Sequence, residues 1–364
     1  MADTFPNTLP DSLERTILLY GAGGSGKTTQ SVYAAEWLWN EKGLLTRVVN
    51  ADGGGTRGAF AHLIEEGIAE VWDIDRSLAG SPFKILTLAS SGYWPVDVNR
   101  IDSPLEAPSK SWRECPTCKG MAGGSATISP PACETCKTKF SPGQMLPVVS
   151  APTEKASKVG LWVFEGATAF GNLLLQRLRT VDEKGGNAVK DEDFTIGQPG
   201  KQHYGMAQSY MSQFITTSRK LPVPVKMWTA LEMRSDEEGR PLYGPMLPGK
   251  ALTAACIPWF TDVIHLDALT KRNATGQTEK DAAGIEKVER VFYLAAHFPP
   301  DNPLQKFAAK TSAPVGTIPA SMPADIGKLL AMLEKAGHAG KERLNPKRVT
   351  PRAQIALDNT PPSA

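Results

Sequence analysis

The densest run of chemically capable residues is Gly21-Ala22-Gly23-Gly24-Ser25-Gly26-Lys27-Thr28, which matches G-x-x-x-x-G-K-[ST] at every fixed position. Glycines at this spacing let consecutive backbone N–H groups turn toward an anion with no Cβ in the way. The pattern assigns Gly21, Gly23, Gly24, Ser25, Gly26, Lys27, Thr28 and Thr29 to the phosphates of a nucleoside triphosphate. Lys27 would bring a point charge to the β- and γ-phosphates, and Thr28 a hydroxyl to Mg²⁺. ATP is expected over GTP, because the chain has no guanine-reading N-K-x-D tetrad. A Gly-rich turn with an incidental lysine would explain the loop but not its flanks. Arg15 to Tyr20 reads as a short buried strand, and Thr28 to Asn40 as a helix with Val32, Ala35, Leu38 and Trp39 at helical spacing.

Four cysteines form a second constellation. Cys115-Pro-Thr-Cys118 and Cys133-Glu-Thr-Cys136 are two C-x-x-C knuckles separated by residues 119 to 132. Each knuckle can bend two thiolates toward one tetrahedral Zn²⁺, and four protein ligands leave no place for a reactive water, so the metal would be structural. Lys119, Gly120 and Lys137 suit the turns and offset thiolate charge. Two disulfides, or a redox C-x-x-C, are the competing readings; a reducing compartment disfavours the first, and the doubled motif the second. Cys256 reads as a plain buried thiol.

Hydrolysis needs carboxylates near the metal and near water. In an open parallel sheet ligands sit at the carboxyl ends of strands, so acids that close apolar runs are the candidates. Glu165 closes Gly160-Leu-Trp-Val-Phe164 and is assigned the Mg²⁺ side, through a water. Asp52 closes Leu45 to Asn50 and is assigned water activation. The competing readings are a surface glutamate, and an aspartate doing ordinary turn chemistry before Gly53-Gly54-Gly55.

The elements that must hold these residues alternate between strand and helix, which argues for an α/β fold with a mainly parallel sheet covered on both faces. Phe83 to Leu88 reads as a third strand, Thr168 to Thr180 and Tyr204 to Lys220 as helices, Val225 to Leu231 and Val288 to Ala295 as further strands. Residues 182–203 and 234–243 read as polar loops. Between Ala89 and Lys158 the pattern turns to Pro, Ser, Gly and Cys, too long for a plain loop, and reads as a zinc ribbon inserted at 108–142. The expected units are therefore a discontinuous core (13–88 and 159–310), the ribbon, and a C-terminal part (311–364). That part holds a short helix, Pro323 to Ala336, with Ile326, Leu329, Leu330 and Leu333 on one side, then a basic tail. The tail reads as a solvated segment or a weak electrostatic arm for nucleic acid.

A net charge of +2 over 364 residues argues against a globally basic nucleic-acid binder. No apolar stretch approaches the roughly 18 residues needed to cross a bilayer, and Met1 to Leu13 is unlike a secretion signal, so the expectation is a cytoplasmic protein with no membrane partner.

The order of the phosphate loop, Asn50-Ala51-Asp52, Glu165 and Thr229-Ala-Leu-Glu232 resembles the RecA-like ATPase core. More closely it is similar to phage-encoded RecA-like ATPases that assist single-strand annealing and recombination. Tyr204-Gly205, and Pro245-Met-Leu-Pro-Gly249-Lys250 followed by Asp262 to Leu266, carry the likeness over about residues 13 to 300 outside the ribbon. The resemblance implies a RecA-like P-loop NTPase that uses ATP and Mg²⁺, with Asp52 activating water and Glu165 on the Mg²⁺ side, where the family usually has Asp. It implies that Glu232, or Thr229 beside it, senses the γ-phosphate, that Lys250 reaches a neighbouring subunit, and that loops 182–203 and 234–243 face DNA. A homo-oligomer, ring or filament, and single-stranded DNA are the implied partners, in the host cytoplasm. The function so implied is DNA recombination, repair or replication. The alternative is an ATPase for virion assembly or DNA packaging with a protein docked on the ribbon, which carries no aromatic residue between Cys115 and Cys136.

Overall fold

The computed structural model describes residues 14–53, 55–74, 81–100, 103–113, 115–118, 131–133, 136–141, 146, 148–184, 200–235, 242–297 and 306–344. The chain opens with β1 (Arg15–Gly21), α1 (Lys27–Lys42), β2 (Leu45–Asn50), α2 (Gly55–Ala59), α3 (Ala61–Glu65), β3 (Ala69–Asp73) and α4 (Ser81–Ser90). Short elements follow: β4 (Trp94–Pro95), β5 (Leu105–Glu106), β6 (Ser109–Arg113), β7 (Val148–Pro152) and α5 (Glu154–Ser157). The core resumes with β8 (Val159–Glu165), α6 (Ala167–Lys184), α7 (Lys201–Ser218), β9 (Val225–Ser235), β10 (Leu242–Pro245) and α8 (Lys250–Ala255). It closes with β11 (Asp262–Thr270), β12 (Val288–Tyr293), β13 (Ser321–Pro323) and α9 (Ile326–Leu344).

Among the described residues one sheet runs β13-β12-β11-β1-β9-β8-β2-β3, with β10 paired to β9. The pairs from β3 to β11 are parallel, and β12, β13 and β10 are antiparallel. One strand, β9, separates the loop-bearing β1 from the acid-bearing β8. The fold is thus α/β, a mainly parallel sheet with the glycine loop joining β1 to α1.

Strand alternation assigns side chains to the two faces. Ile17 and Leu19 of β1, with Leu161 and Val163 of β8, meet α1, α3 and α9. Leu18 and Tyr20, with Trp162 and Phe164, meet α4, α6, α7 and α8. Every residue of β1 and β8 is buried, as a strand covered on both faces requires.

Two expectations fail here. The third strand is Ala69–Asp73, paired with β2, and the Phe83–Leu88 run lies inside helix α4. A short apolar run fits either element; Leu86 and Ala89, three apart, are the apolar side chains that α4 buries among those described. The C-terminal part is also no separate unit up to residue 344. β13 pairs with β12, and Ile326, Leu329, Leu330 and Leu333 of α9 enter the core beside α1. Gln30 of α1 fixes the join by accepting from Ile326 N at 3.0 Å and donating to Ala324 O at 3.3 Å. The basic tail beyond residue 344 lies outside the described residues.

The insertion is tied down at its base. The Arg47 guanidinium lies over the rings of Trp94 and Trp162, 5.1 and 5.6 Å from their centroids, and pairs with Glu70 and Glu106. Since Arg47 belongs to β2 and Glu106 to β5, one buried cation links sheet and insertion.

Leu330, fully buried on α9, should report the helix's place in the core. Leu330→Ala is expected to cost about 2–5 kcal/mol in urea unfolding; an unchanged midpoint and slope would contradict it.

Candidate functional site

The phosphate loop joins β1 to α1. Gly26 is the residue before α1 and sits at φ 99, a left-handed conformation that a side chain would strain. A Cβ on Gly21 would lie 2.2 Å from Leu266 O of β11, so only glycine fits there. The first turn of α1 carries no acid, which leaves the positive end of its dipole open to an anion.

Lys27 is 9% exposed, and its ammonium donates to two carbonyls of its own loop, Gly21 O at 3.0 Å and Ala22 O at 2.8 Å. Among the described residues no carboxylate comes within ion-pair distance of it. Burial lowers its pKa, opposed by the fields of Glu165, Asp52 and Glu232. A buried cation whose hydrogen bonds go only to neutral carbonyls is costly unless an anion completes the site. This is what a triphosphate would supply.

Beside it, Glu165 is fully buried at the end of β8. Thr28 Oγ1 donates to its Oε1 at 2.8 Å, and Ser31 Oγ to its Oε2 at 3.2 Å. Gly166 N donates to Thr229 Oγ1 at 2.9 Å, and Thr229 also touches the carboxylate. Burial raises the Glu165 pKa, the hydroxyls of Thr28, Thr229 and Ser31 pull it down, and Asp52 pushes it further up. A carboxylate and a hydroxyl meeting at the loop's end form the oxygen set that Mg²⁺ prefers, so Thr28 and Glu165 fit the ion.

Asp52 is exposed and lies against Gly166, where an added Cβ would come 3.1 Å from Asp52 Cβ. It therefore stands at the mouth of the site, beside the end of β8. Glu232 is drawn aside: its Oε2 is 2.8 Å from His265 Nε2, with side chains 3% and 0% exposed. Of the two residues expected to sense the γ-phosphate, Thr229 is turned toward Glu165 and Glu232 toward this histidine. Lys250 begins α8, but its side chain lies outside what is described, as do residues 185–199 and 236–241 of the two loops expected to face DNA. Helices α6 and α7 extend to Lys184 and from Lys201, and β9 and β10 form a hairpin, so both loops are shorter than expected.

Three residues near the site were absent from the sequence expectations. Ser31 lies four residues after Lys27, one turn along the helix, a spacing that could have revealed it. Arg290 of β12 donates from Nε to Ser25 O at 2.9 Å, and His265 comes from β11. No local spacing marks these two, because only the sheet register brings them to the loop.

The four cysteines also converge. Their sulfurs lie within 4.8 Å of one another, with Cys115–Cys136 at 3.6 Å and Cys118–Cys133 at 3.8 Å. A tetrahedron with Zn–S of about 2.3 Å has edges of about 3.8 Å, whereas a disulfide needs about 2.05 Å. Lys137 adopts φ 60 as the second knuckle turns, and Cys136 N donates to Cys133 Sγ at 3.4 Å. Hydrogen bonds from Thr138, side chain and backbone, hold the Cys136 thiol down to about 6. Phe140, Leu146 and the buried Cys115 and Cys133 form a small core of their own.

No family model matches the chain, and no curated protein matches it. Among solved structures it is similar to a KaiC-like protein, PH0186, from the hyperthermophilic archaeon Pyrococcus horikoshii OT3, at 12% identity and a TM-score of 0.33, covering 77% of each chain. Among the described residues no helix is long and apolar enough to cross a membrane.

Two outcomes follow. A carboxyl whose folded pKa is raised weakens the fold as pH climbs from the ordinary glutamate range through that raised value, because the folded state holds the proton longer. Glu165→Gln without nucleotide should therefore raise Tm at pH 8, by roughly 2–4 °C per kcal/mol relieved, and the gain should vanish toward pH 4. A gain equal at both pH values would contradict the burial of an ionising group. Purified protein should also carry one zinc per chain, lost together when Cys115 and Cys133 are changed to Ser; metal analysis well below one would remove the zinc assignment.

Proposed function

We propose that the chain is a Mg²⁺-dependent ATPase acting in DNA recombination, repair or replication, of the kind phages encode, through ATP-dependent binding of single-stranded DNA. The observation that carries the ATPase reading is Lys27, buried in a glycine loop with no ion-pair carboxylate among the described residues, beside the Thr28–Glu165 contact. On ATP binding the ammonium would leave Gly21 O and Ala22 O for the phosphate oxygens, with the loop amides and the α1 dipole supplying the rest of the anion contact. Thr28 and Glu165 would hold Mg²⁺, which when bound neutralises charge on the β- and γ-phosphates. Asp52, exposed at the mouth, would accept the proton of an attacking water.

The DNA part of the reading is supported by the resemblance of the motifs. In that reading ATP would sit between subunits of a ring or filament, in the cytoplasm of the host cell. One observation favours a second use for the ribbon. Phe140, which follows the second knuckle, packs on the ribbon's own cysteines and Leu146, so that ring is not free for base stacking. This supports a structural or protein-docking role, as an ATPase serving virion assembly or packaging would need.

ATPase rates with and without single-stranded DNA decide between these. Wild type should hydrolyse ATP, Lys27→Ala should lose at least about 100-fold, and single-stranded DNA should stimulate the wild type. No stimulation, together with no DNA retention at low salt, would overturn the recombination reading and leave the ATPase intact.

A further inference from the structure

The sheet register places three rings side by side across β1, β11 and β12. Tyr20, the residue before Gly21, pairs with His265, and His265 pairs with Tyr293. Their ring centroids are 4.9 and 5.9 Å apart. Phe307 stacks on His265 at 4.2 Å and 9°, which fixes the imidazole plane. With its faces covered, His265 has only its two nitrogen edges for polar contact. Nε2 meets Glu232 Oε2 at 2.8 Å, and Nδ1 meets His297 Nε2 at 3.3 Å.

The charges in this row are unequal. Burial and the neighbouring His265 hold His297 down to about 4, so it is neutral at pH 7. Glu232, its side chain 3% exposed, is a carboxylate whose field reaches both Lys27 and Tyr20. A bare carboxylate in that place would oppose an arriving polyphosphate and would itself be expensive to bury. An N–H donor held rigidly against it lessens both costs.

We propose that His265 is a positioning residue of the nucleotide site: it orients Glu232 and offsets its charge, so that a triphosphate can approach Lys27. The proposal rests on the nucleotide reading above, and extends the site to a residue of β11 that does not itself touch the phosphates. His265 then acts only through Glu232, which separates this role from simple packing of the ring.

A double-mutant cycle on the full chain tests it, with affinity for a fluorescent ATP analogue in Mg²⁺ and Tm as readouts. His265→Phe, which keeps a stacking ring and removes both nitrogens, should weaken affinity about tenfold where Glu232 is present, and by less than about twofold in the E232Q background. Should H265F alone fail to fold, a folded E232Q/H265F protein that binds the analogue as E232Q does would support the proposal equally, since the carboxylate deprived of His265 would be the defect. Equal losses in both backgrounds, no loss in either, or a double variant that also fails to fold would overturn the proposal. A wild type that binds no more tightly than Lys27→Ala would instead overturn the nucleotide reading.

Discussion

Lys27 and Glu165 are buried close enough to feel each other's charge and yet do not pair, and the rest of the site depends on that separation. Lys27 is fixed by the carbonyls of its own loop, and Glu165 by the hydroxyls of Thr28 and Ser31. Topology enforces the gap: β9 lies between β1 and β8, so the loop and the acid close different strands with one strand between them. Had the two groups met, they would have quenched each other, and neither anion nor metal would find a charge to bind. The space between opposite buried charges is what a metal–triphosphate can fill.

The surroundings serve that arrangement. Gly26 and Gly21 bring the backbone where a Cβ could not follow, Gln30 ties α1 to the start of α9, and Arg290 reaches from β12 to the carbonyl of Ser25. Each contact holds the loop from a different strand or helix. The cysteine knuckles form their own small core, and the stretch that carries them is joined to the sheet through the Arg47 cluster, so their folding draws on local sulfur geometry and not on the nucleotide site.

Much of the site could be read locally, and the reason is physical. The phosphate loop, the strand before Glu165 and the paired C-x-x-C knuckles are each specified within a few residues, so their spacing is visible in the chain. Phe83–Leu88 misled because a short, mostly apolar run fits a strand or a helix, and the strand that took its place, Ala69–Asp73, is short and half polar. The α9 stripe was legible as a face, but not what it covers, since α1 lies nearly 300 residues away in the chain, with Gln30 and Ile326 separated by 296 positions. His265, Arg290 and the pairing of Glu232 were illegible for the same reason: register across β1, β11 and β12 brings them together, and no window of sequence contains it.

Buried Lys27, hydrogen-bonded only to loop carbonyls among the described residues, waits for a phosphate anion. Thermal unfolding of wild type and Lys27→Ala, each with and without Mg²⁺–ATP, tests it most directly. At about 100 times the dissociation constant the ligand should stabilise wild type by about 2.7 kcal/mol, a Tm rise of roughly 5 °C, and leave Lys27→Ala unmoved. Equal ligand shifts in both proteins, or no shift in the wild type, would contradict the account.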